Sequence, residues 1–242
     1  MKEVKLSSLR GILMENKSPE IVIASYVGKL LRDNFGKGPE SVYVSIAGEF
    51  IVIHIRKFIS PMEEALLKQE NENVVQNTRE IVFQSLVPEI KAFIKGLTGI
   101  DINEFYYDWG MSNKSGVFVG IGSPIDGKIG SIEEDFPEKH TMDRKIVDIS
   151  EEAQKAPEGL KSYLMNDRII IFIRDGILVT IEKELIRQGY GKILKTTKRI
   201  LEKKFLHNFD FESVIDRKIT DIFVDWDFDL DKSVIVFMLK PS

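Results

Sequence analysis

One passage of the chain occurs twice. Phe50-Ile-Val-Ile-His-Ile-Arg56 is matched by Arg168-Ile-Ile-Ile-Phe-Ile-Arg174. Upstream, Lys37-Gly-Pro39-Glu40 is matched by Lys155-Ala-Pro157-Glu158. Lys37 and Lys155 are 118 residues apart, as are Arg56 and Arg174, so the segment between them aligns without a gap. Asp108-Trp109 and Asp225-Trp226 follow at a separation of 117. A chain with this internal repeat is read as two copies of one domain, each of roughly 100–120 residues, a common domain size.

Local signals give each copy the same plan. Ser18-Pro19 is a helix start, and Ile23, Val27, Leu30, Leu31 and Phe35 fall at helical spacing. Gly36 is placed to end that helix, and Pro39 cannot continue it. Strands are expected at 42–47 and 50–57, joined at Gly48-Glu49. Ser60-Pro61-Met62-Glu63 is a capping box that opens a long helix. Its expected buried stripe is Leu66, Leu67, Val74, Val75, Thr78, Ile81, Val82 and Leu86, with a break near Pro88. A shorter helix should end at Gly99, followed by a hairpin of 103–109 with 117–121. In the second copy the expectations are a helix within 137–154, strands at 159–164 and 169–174, and a helix over 180–205. That last helix should bury Leu185, Ile186, Ile193, Leu194, Ile200 and Leu201. A hairpin of 221–228 with 233–239 closes the chain.

The fold class that follows is α+β. Two tandem two-layer sandwich domains are expected, each helix–hairpin–long broken helix–hairpin, with a four-stranded, mostly antiparallel sheet. The boundaries are an N-terminal extension 1–17, a first copy 18–122, a linker 123–135 and a divergent second copy 136–242. Apolar residues alternate onto both faces of the 50–56 strand, so a second cover is needed; face-to-face pairing of the copies or a homodimer would supply it.

Composition narrows the function classes. The net charge of −4 argues against a nucleic-acid binder, which carries a basic field. Cysteine is absent, which removes disulfides, thiolate metal sites and cysteine nucleophiles. No apolar run reaches the roughly 18 residues that span a bilayer. The expected location is the cytoplasm, peripheral to the inner face of the membrane, with no direct membrane insertion. Within the extension, Val4, Leu9, Ile12 and Leu13 could share one face beside Lys2, Lys5 and Arg10, which reads as a segment packing on its own domain.

The first helix, Gly36-Lys37-Gly38-Pro39, the strand pair ending in Arg56, Ser60-Pro61-x-Glu63, Leu97-Thr98-Gly99 and the Asp-centred final hairpin together resemble the MpsC-like family. That family is named for a component of a Na+-translocating, membrane-potential-generating system. The first copy carries nearly the whole pattern. The second keeps Pro157, Arg174, Asp225 and the last strand, and departs at the first helix and at the glycines near Pro157. The resemblance implies association with cation or inorganic-carbon transport. It brings no catalytic residues.

The residues themselves suggest several sites. Arg56 and Arg174 end equivalent strands, where an Arg can pair bidentately with a carboxylate or an anion. Asp108 and Asp225 are the obvious internal partners, and Lys37 lies on the glycine-bearing turn. A structural ion pair is the favoured reading. Gly122-Ser-Pro-Ile-Asp-Gly127-Lys128 fits a phosphate-loop spacing, but Ile129 stands where Ser or Thr would hold magnesium, so a linker is the better reading. Asp225, Asp227, Asp229 and Asp231 alternate, yet the run lacks the glycine and glutamate of a calcium loop, so a solvated strand and turn is expected. His54, His140 and His207 show no metal spacing. Trp109 and Trp226 read as hairpin core. The expected function is a non-enzymatic interaction or regulatory protein that docks on membrane transporter subunits and needs no cofactor. The alternatives are a small-anion sensor near Arg56 and Asp108, and a nucleotide-dependent enzyme using the Gly122–Lys128 loop.

Overall fold

The computed structural model describes residues 17–123 and 132–241. The extension at 1–16 and most of the glycine-rich linker, 124–131, lie outside the described residues. The rest divides into two compact units. Residues 17–105 with 111–123 form one, and 106–110 with 132–241 form the other.

The first unit starts with α1 (Pro19–Phe35), β1 (Ser41–Ala47) and β2 (Phe50–Arg56). It continues through α2 (Pro61–Lys68), α3 (Glu72–Thr98), β3 (Asp101–Gly110), of which 106–110 belong to the second unit, and β4 (Ser115–Ser123). Its strand order is β1-β2-β4-β3, with β1–β2 and β2–β4 antiparallel and Ile53 opposite Phe118. The second unit repeats this with α4 (Lys139–Ala153), β5 (Gly159–Asn166) and β6 (Ile169–Asp175). Then come α5 (Thr180–Arg187), α6 (Gly191–Asn208), α7 (Phe211–Ile215), β7 (Ile219–Asp227) and β8 (Lys232–Leu239). Its order is β5-β6-β8-β7, again antiparallel. The α+β class and the duplicated four-stranded sheets are those the repeat implied.

Local chemistry explains the element ends. Gly36 and Gly99 both stop helices in the left-handed region. The Ser60 capping box is formed in full: the Ser60 amide donates to Glu63 Oε2 at 2.7 Å and the Glu63 amide to Ser60 Oγ at 3.3 Å. In the second unit Val179 stands at that position and has no oxygen to offer. Only the glutamate half survives, with the Val179 amide donating to Glu182. Ser18 precedes α1, but its side chain makes no cap bond.

The expected break at Pro88 is absent. α3 runs on through it, with Leu86, Ile90 and Ile94 buried on either side while Pro88 itself is exposed. The hydrogen bond that proline removes falls on the solvent side, and packing holds both halves of the helix in line. The break comes earlier, between α2 and α3, where Glu70 has φ +59°. Its counterpart 119 residues on is Gly189, φ +87°, between α5 and α6. The proline-free second copy is the one that interrupts near the Pro88 position, after Asn208.

The long helices keep the expected stripes only in part. In α3 the buried residues are Val75, Arg79, Phe83, Leu86, Ile90 and Ile94, while Val74 and Ile81 are exposed. In α6 they are Lys198, Arg199, Glu202 and Leu206, while Ile193 and Ile200 are exposed and Leu185, Ile186 and Leu194 half-buried. In α3 Val75 and Leu86 are buried as expected and the stripe is rotated toward Phe83, which packs on Phe118; in α6 the inward face is charged because the groups beneath it are charged.

The second unit's core lies between its helices and one face of its sheet. Phe172, Ile235, Phe237 and Trp226 meet Met142, Ile146, Leu206 and Phe211. Nearly every position of β2, β6 and β8 is buried, so both faces of these central strands are covered.

A duplicated tie holds each second hairpin to the helix layer. In the first unit the Phe58 amide donates to the Lys114 carbonyl at 2.6 Å, and Lys114 Nζ lies 2.8 Å from Glu64. In the second the Gly176 amide donates to the Asp231 carbonyl at 2.8 Å, and Asp231 lies 2.8 Å from Lys183. Lys114 and Asp231 both have positive φ. The same positions thus form the same ion pair with its polarity reversed. Asp231 also accepts from the Ile177 and Leu178 amides at 2.9 and 2.8 Å.

Burial raises the carboxyl pKa of both Glu63 and Asp231, but their partners outweigh it. Arg79 and the Ser60 amide act on Glu63, and Lys183 with two amides acts on Asp231, so both end below the ordinary values of 4.5 and 3.8. A folded-state pKa below the unfolded one gives stability that is complete above the unfolded value and is lost as pH falls through the folded one. The urea midpoint should therefore drop on acidification below about pH 4.5, and Glu63→Gln should flatten that dependence. An unaltered slope in the variant would count against this account of Glu63.

Candidate functional site

The charged groups buried in each unit are held in three constellations. In the first unit Arg79, fully buried, places Nε 2.7 Å and Nη2 3.1 Å from the two oxygens of Glu63. Its Nη2 also donates to the Phe58 carbonyl at 2.9 Å, and the guanidinium lies 4.8 Å from the Phe58 ring centroid. Glu63 therefore caps a helix and neutralises a buried cation at once.

The second unit keeps that pair as Glu182 and Lys198, 2.8 Å apart, and adds to it. Arg174, fully buried, donates from Nη2 to Glu202 at 2.5 Å, from Nη1 to Ser150 Oγ at 2.8 Å and from Nε to Ser233 Oγ at 2.8 Å. Lys198 also bonds Gln154 and lies 5.5 Å from the Trp226 ring centroid. Two cations and two carboxylates close on one another below the surface. The position of Glu202 is held in the first copy by Phe83, which packs 4.1 Å from Phe118, ring centroid to centroid. With Phe at that position, Arg56 has no carboxylate there to meet it and is exposed.

The third constellation, also in the second unit, centres on Asp108 and Asp225, 1 and 3% exposed. They are related reciprocally. Asp108 Oδ2 accepts from the Val224 amide at 3.0 Å, and Asp225 Oδ2 from the Tyr107 amide at 2.9 Å. Each carboxylate thus binds the amide just before the other. Three cations from one face of α6 neutralise them. Arg199 lies 3.0 Å from Asp108 and 2.8 Å from Asp225. Lys203 is 2.5 Å from Asp108, and Lys195 is 2.9 Å from Asp225. Lys203 and Arg199 also reach the carbonyls of Trp109 and Tyr107.

The structure therefore joins two of the residues that the sequence singled out, Asp108 and Asp225, but through Arg199, Lys195 and Lys203. The cation of Asp108 is not Arg56, and the carboxylate of Arg174 is Glu202, not Asp225. Arg56 and Lys37 are exposed. The residues that sequence reasoning missed sit at i, i+4 and i+8 on α6, a spacing visible in the chain; the apolar residues beside them drew the inward reading instead.

The other candidates resolve structurally. In the aspartate run Asp225 meets cations, Asp227 Oδ1 accepts from the amides of Asp229 and Leu230 to shape the turn, and Asp231 ties the hairpin. Among the described residues no group of three or more His, Asp or Glu is placed to hold a metal ion. Gly122, the first glycine of the phosphate-loop spacing, belongs to β4, where a Cβ would lie 2.2 Å from the Asp101 carbonyl oxygen. Close backbone approach explains that glycine; the rest of the pattern falls on residues 124–131, outside the described ones. Trp109 and Trp226 are buried in the core, and His54 is buried in β2.

Comparison with known proteins adds one finding. The family model described as "Na+-translocating membrane potential-generating system (MpsC)" matches residues 15–122 and again 142–241. No curated protein and no solved structure matches the chain. Among the described residues no helix is long and apolar enough to cross a membrane.

Removing one partner of a buried ion pair leaves an uncompensated charge, typically at a cost of 3–5 kcal/mol, whereas replacing the whole pair by apolar groups is often neutral. Glu202→Ala should therefore destabilise the protein by about 3 kcal/mol or more in urea titration, and Arg174→Met with Glu202→Leu should recover most of the loss. A single variant as stable as the wild type would refute the assignment of Glu202 as the counter-ion of Arg174.

Proposed function

The chain belongs to the MpsC family, and we propose that it is a non-enzymatic interaction and regulatory protein that docks on the integral subunits of a Na+-translocating, membrane-potential-generating system. The observation that carries this reading is the closure of the buried charge. Arg174, Lys198, Glu182 and Glu202 bind one another, and Asp108 and Asp225 are held by backbone amides and by cations of a single helix. Groups held this way stabilise an architecture; a general acid or base needs a carboxylate or imidazole aimed at open space. The large apolar residues left exposed on the helices supply surface for association. Inorganic-carbon transport is a second setting for the same docking role.

A specific observation favours one alternative. Lys195, Arg199 and Lys203 outnumber the two aspartates they face, which leaves one net positive charge in a largely buried cluster. A small anion would complement that charge. The anion site expected near Arg56 and Asp108 is therefore proposed at the α6 cations and Asp108, since Arg56 is exposed.

Two measurements test these readings. The tagged full chain, captured from detergent-solubilised membranes of its native host, should enrich an integral cation- or bicarbonate-transport subunit in high salt, as identified by mass spectrometry. A preparation with no membrane subunit would overturn the docking reading. Bicarbonate or phosphate should raise the melting temperature of the wild type and not of Lys195→Ala if the anion reading holds, because a ligand bound only by the folded state must stabilise it; equal shifts in both proteins, or none, exclude it.

A further inference from the structure

The two units expose the same apolar residues. The pairs Glu63/Glu182, Glu64/Lys183 and Arg79/Lys198 align α2–α3 with α5–α6 at a separation of 119 residues. In that alignment Met62 matches Ile181, Val74 matches Ile193 and Ile81 matches Ile200. All six are exposed: 74, 47 and 67% in the first unit, 65, 67 and 56% in the second. Val74 and Ile81 are seven residues apart, as are Ile193 and Ile200, so each pair lies on one helix face. Thr78 and Thr197 repeat between them.

These positions stayed apolar while their surroundings changed. Outward neighbours became Asn73/Lys192 and Ser85/Lys204, and even an inward position changed from Phe83 to Glu202. The charge around the stripes diverged in opposite directions. Of the six Lys or Arg of α6, Lys195, Lys198, Arg199 and Lys203 face inward onto carboxylates, which leaves Lys192 and Lys204 exposed beside the outward stripe. The corresponding stretch of α3, 72–89, presents Glu72, Glu89 and the half-buried Glu80 outward, its one Arg, Arg79, being buried on Glu63. A single partner, or an anionic bilayer, would meet one stripe with attraction and the other with repulsion. The two stripes are alike in apolar character and complementary in sign. Beside Ile193 the second unit also has an apolar hollow of about 280 Å³, lined by Leu185, Tyr190, Ile193, Leu194 and Thr197. Met62, flexible and 74% exposed, is a side chain suited to fill such a hollow.

We propose that the Met62–Val74–Ile81 stripe of one copy packs on the Ile181–Ile193–Ile200 stripe and hollow of a second copy of this chain. This rests on the reading of the helical faces as association surfaces and assigns their occupant. The contact joins unlike surfaces, so it is head-to-tail and can extend beyond two chains.

The test is the mass in solution of the purified full chain, by light scattering after size exclusion, over a wide concentration range. The wild type should exceed 27.7 kDa, increasingly so with concentration and less so at high salt. Ile81→Glu and Ile200→Lys should each return the mass to 27.7 kDa with unchanged circular dichroism, and with a melting temperature equal to that of the wild type at dilutions where it too is a single chain, since both residues are exposed. An equimolar mixture of the two variants should form a species of twice that mass and no larger, because each still carries one intact, unlike stripe. A wild type that stays at the single-chain mass, or variants that self-associate but do not form the mixed pair, overturns the proposal. If the single-chain protein still captures a membrane transport subunit, the stripes belong to that docking and the functional reading stands without self-association.

Discussion

A charge taken out of water must meet its opposite nearby, and in this chain that requirement orients the long helix of the second unit, α6. Arg174 is carried into the second unit at the end of an apolar strand, and Asp108 and Asp225 are carried in by two others. Desolvating such ions costs several kcal/mol each unless counter-ions and hydrogen bonds offset it. Most of the counter-ions come from α6. Once Lys198, Arg199, Glu202 and Lys203 must point inward, the helical period sends Ile193 and Ile200 outward. The polar interior and the apolar exterior of this helix are therefore one fact. In the first unit Phe83 stands in place of Glu202, and the helix closes over aromatic rings instead.

The two copies show which features the fold requires. Both keep a glutamate that neutralises a cation on the following helix, at Glu63 with Arg79 and Glu182 with Lys198. Both break the helix layer at a residue in the left-handed region, Glu70 or Gly189. Both tie the last hairpin through an ion pair, Lys114 with Glu64 or Asp231 with Lys183. The reversed polarity of that pair is informative. What matters at those positions is that the charges are opposite and close, since Coulomb attraction does not depend on which partner carries which sign.

These arrangements bear on function by showing where the ionisable groups are committed. A carboxylate that accepts two amides and two cations has its lone pairs engaged and its charge balanced, as Asp108 does. Such a group fixes strands. The exposed chemistry of the chain is instead an apolar stripe repeated on two helical layers, the kind of surface that proteins present to partners. That contrast, more than any single residue, is what the proposed docking role of this MpsC-family chain rests on.

By itself the sequence determined the duplication, the strands and hairpins, the capping box at Ser60 and the helix stops at Gly36 and Gly99, because these depend on neighbours a few residues away and on a repeat that can be read directly. It also singled out Asp108 and Asp225, through their matching places in the two copies. It could not determine which face of α3 or α6 turns inward. Apolar residues lie on both faces of α3, an apolar stripe and a charged stripe share α6, and the choice rests on what other segments bring beneath them. Nor could it pair Arg174 with Glu202 rather than Asp225, or keep α3 intact through Pro88, where burial on both sides outweighs the local cost. Those outcomes belong to the tertiary structure, because a buried charge selects its counter-ion by distance in space, and separation along the chain carries no record of it.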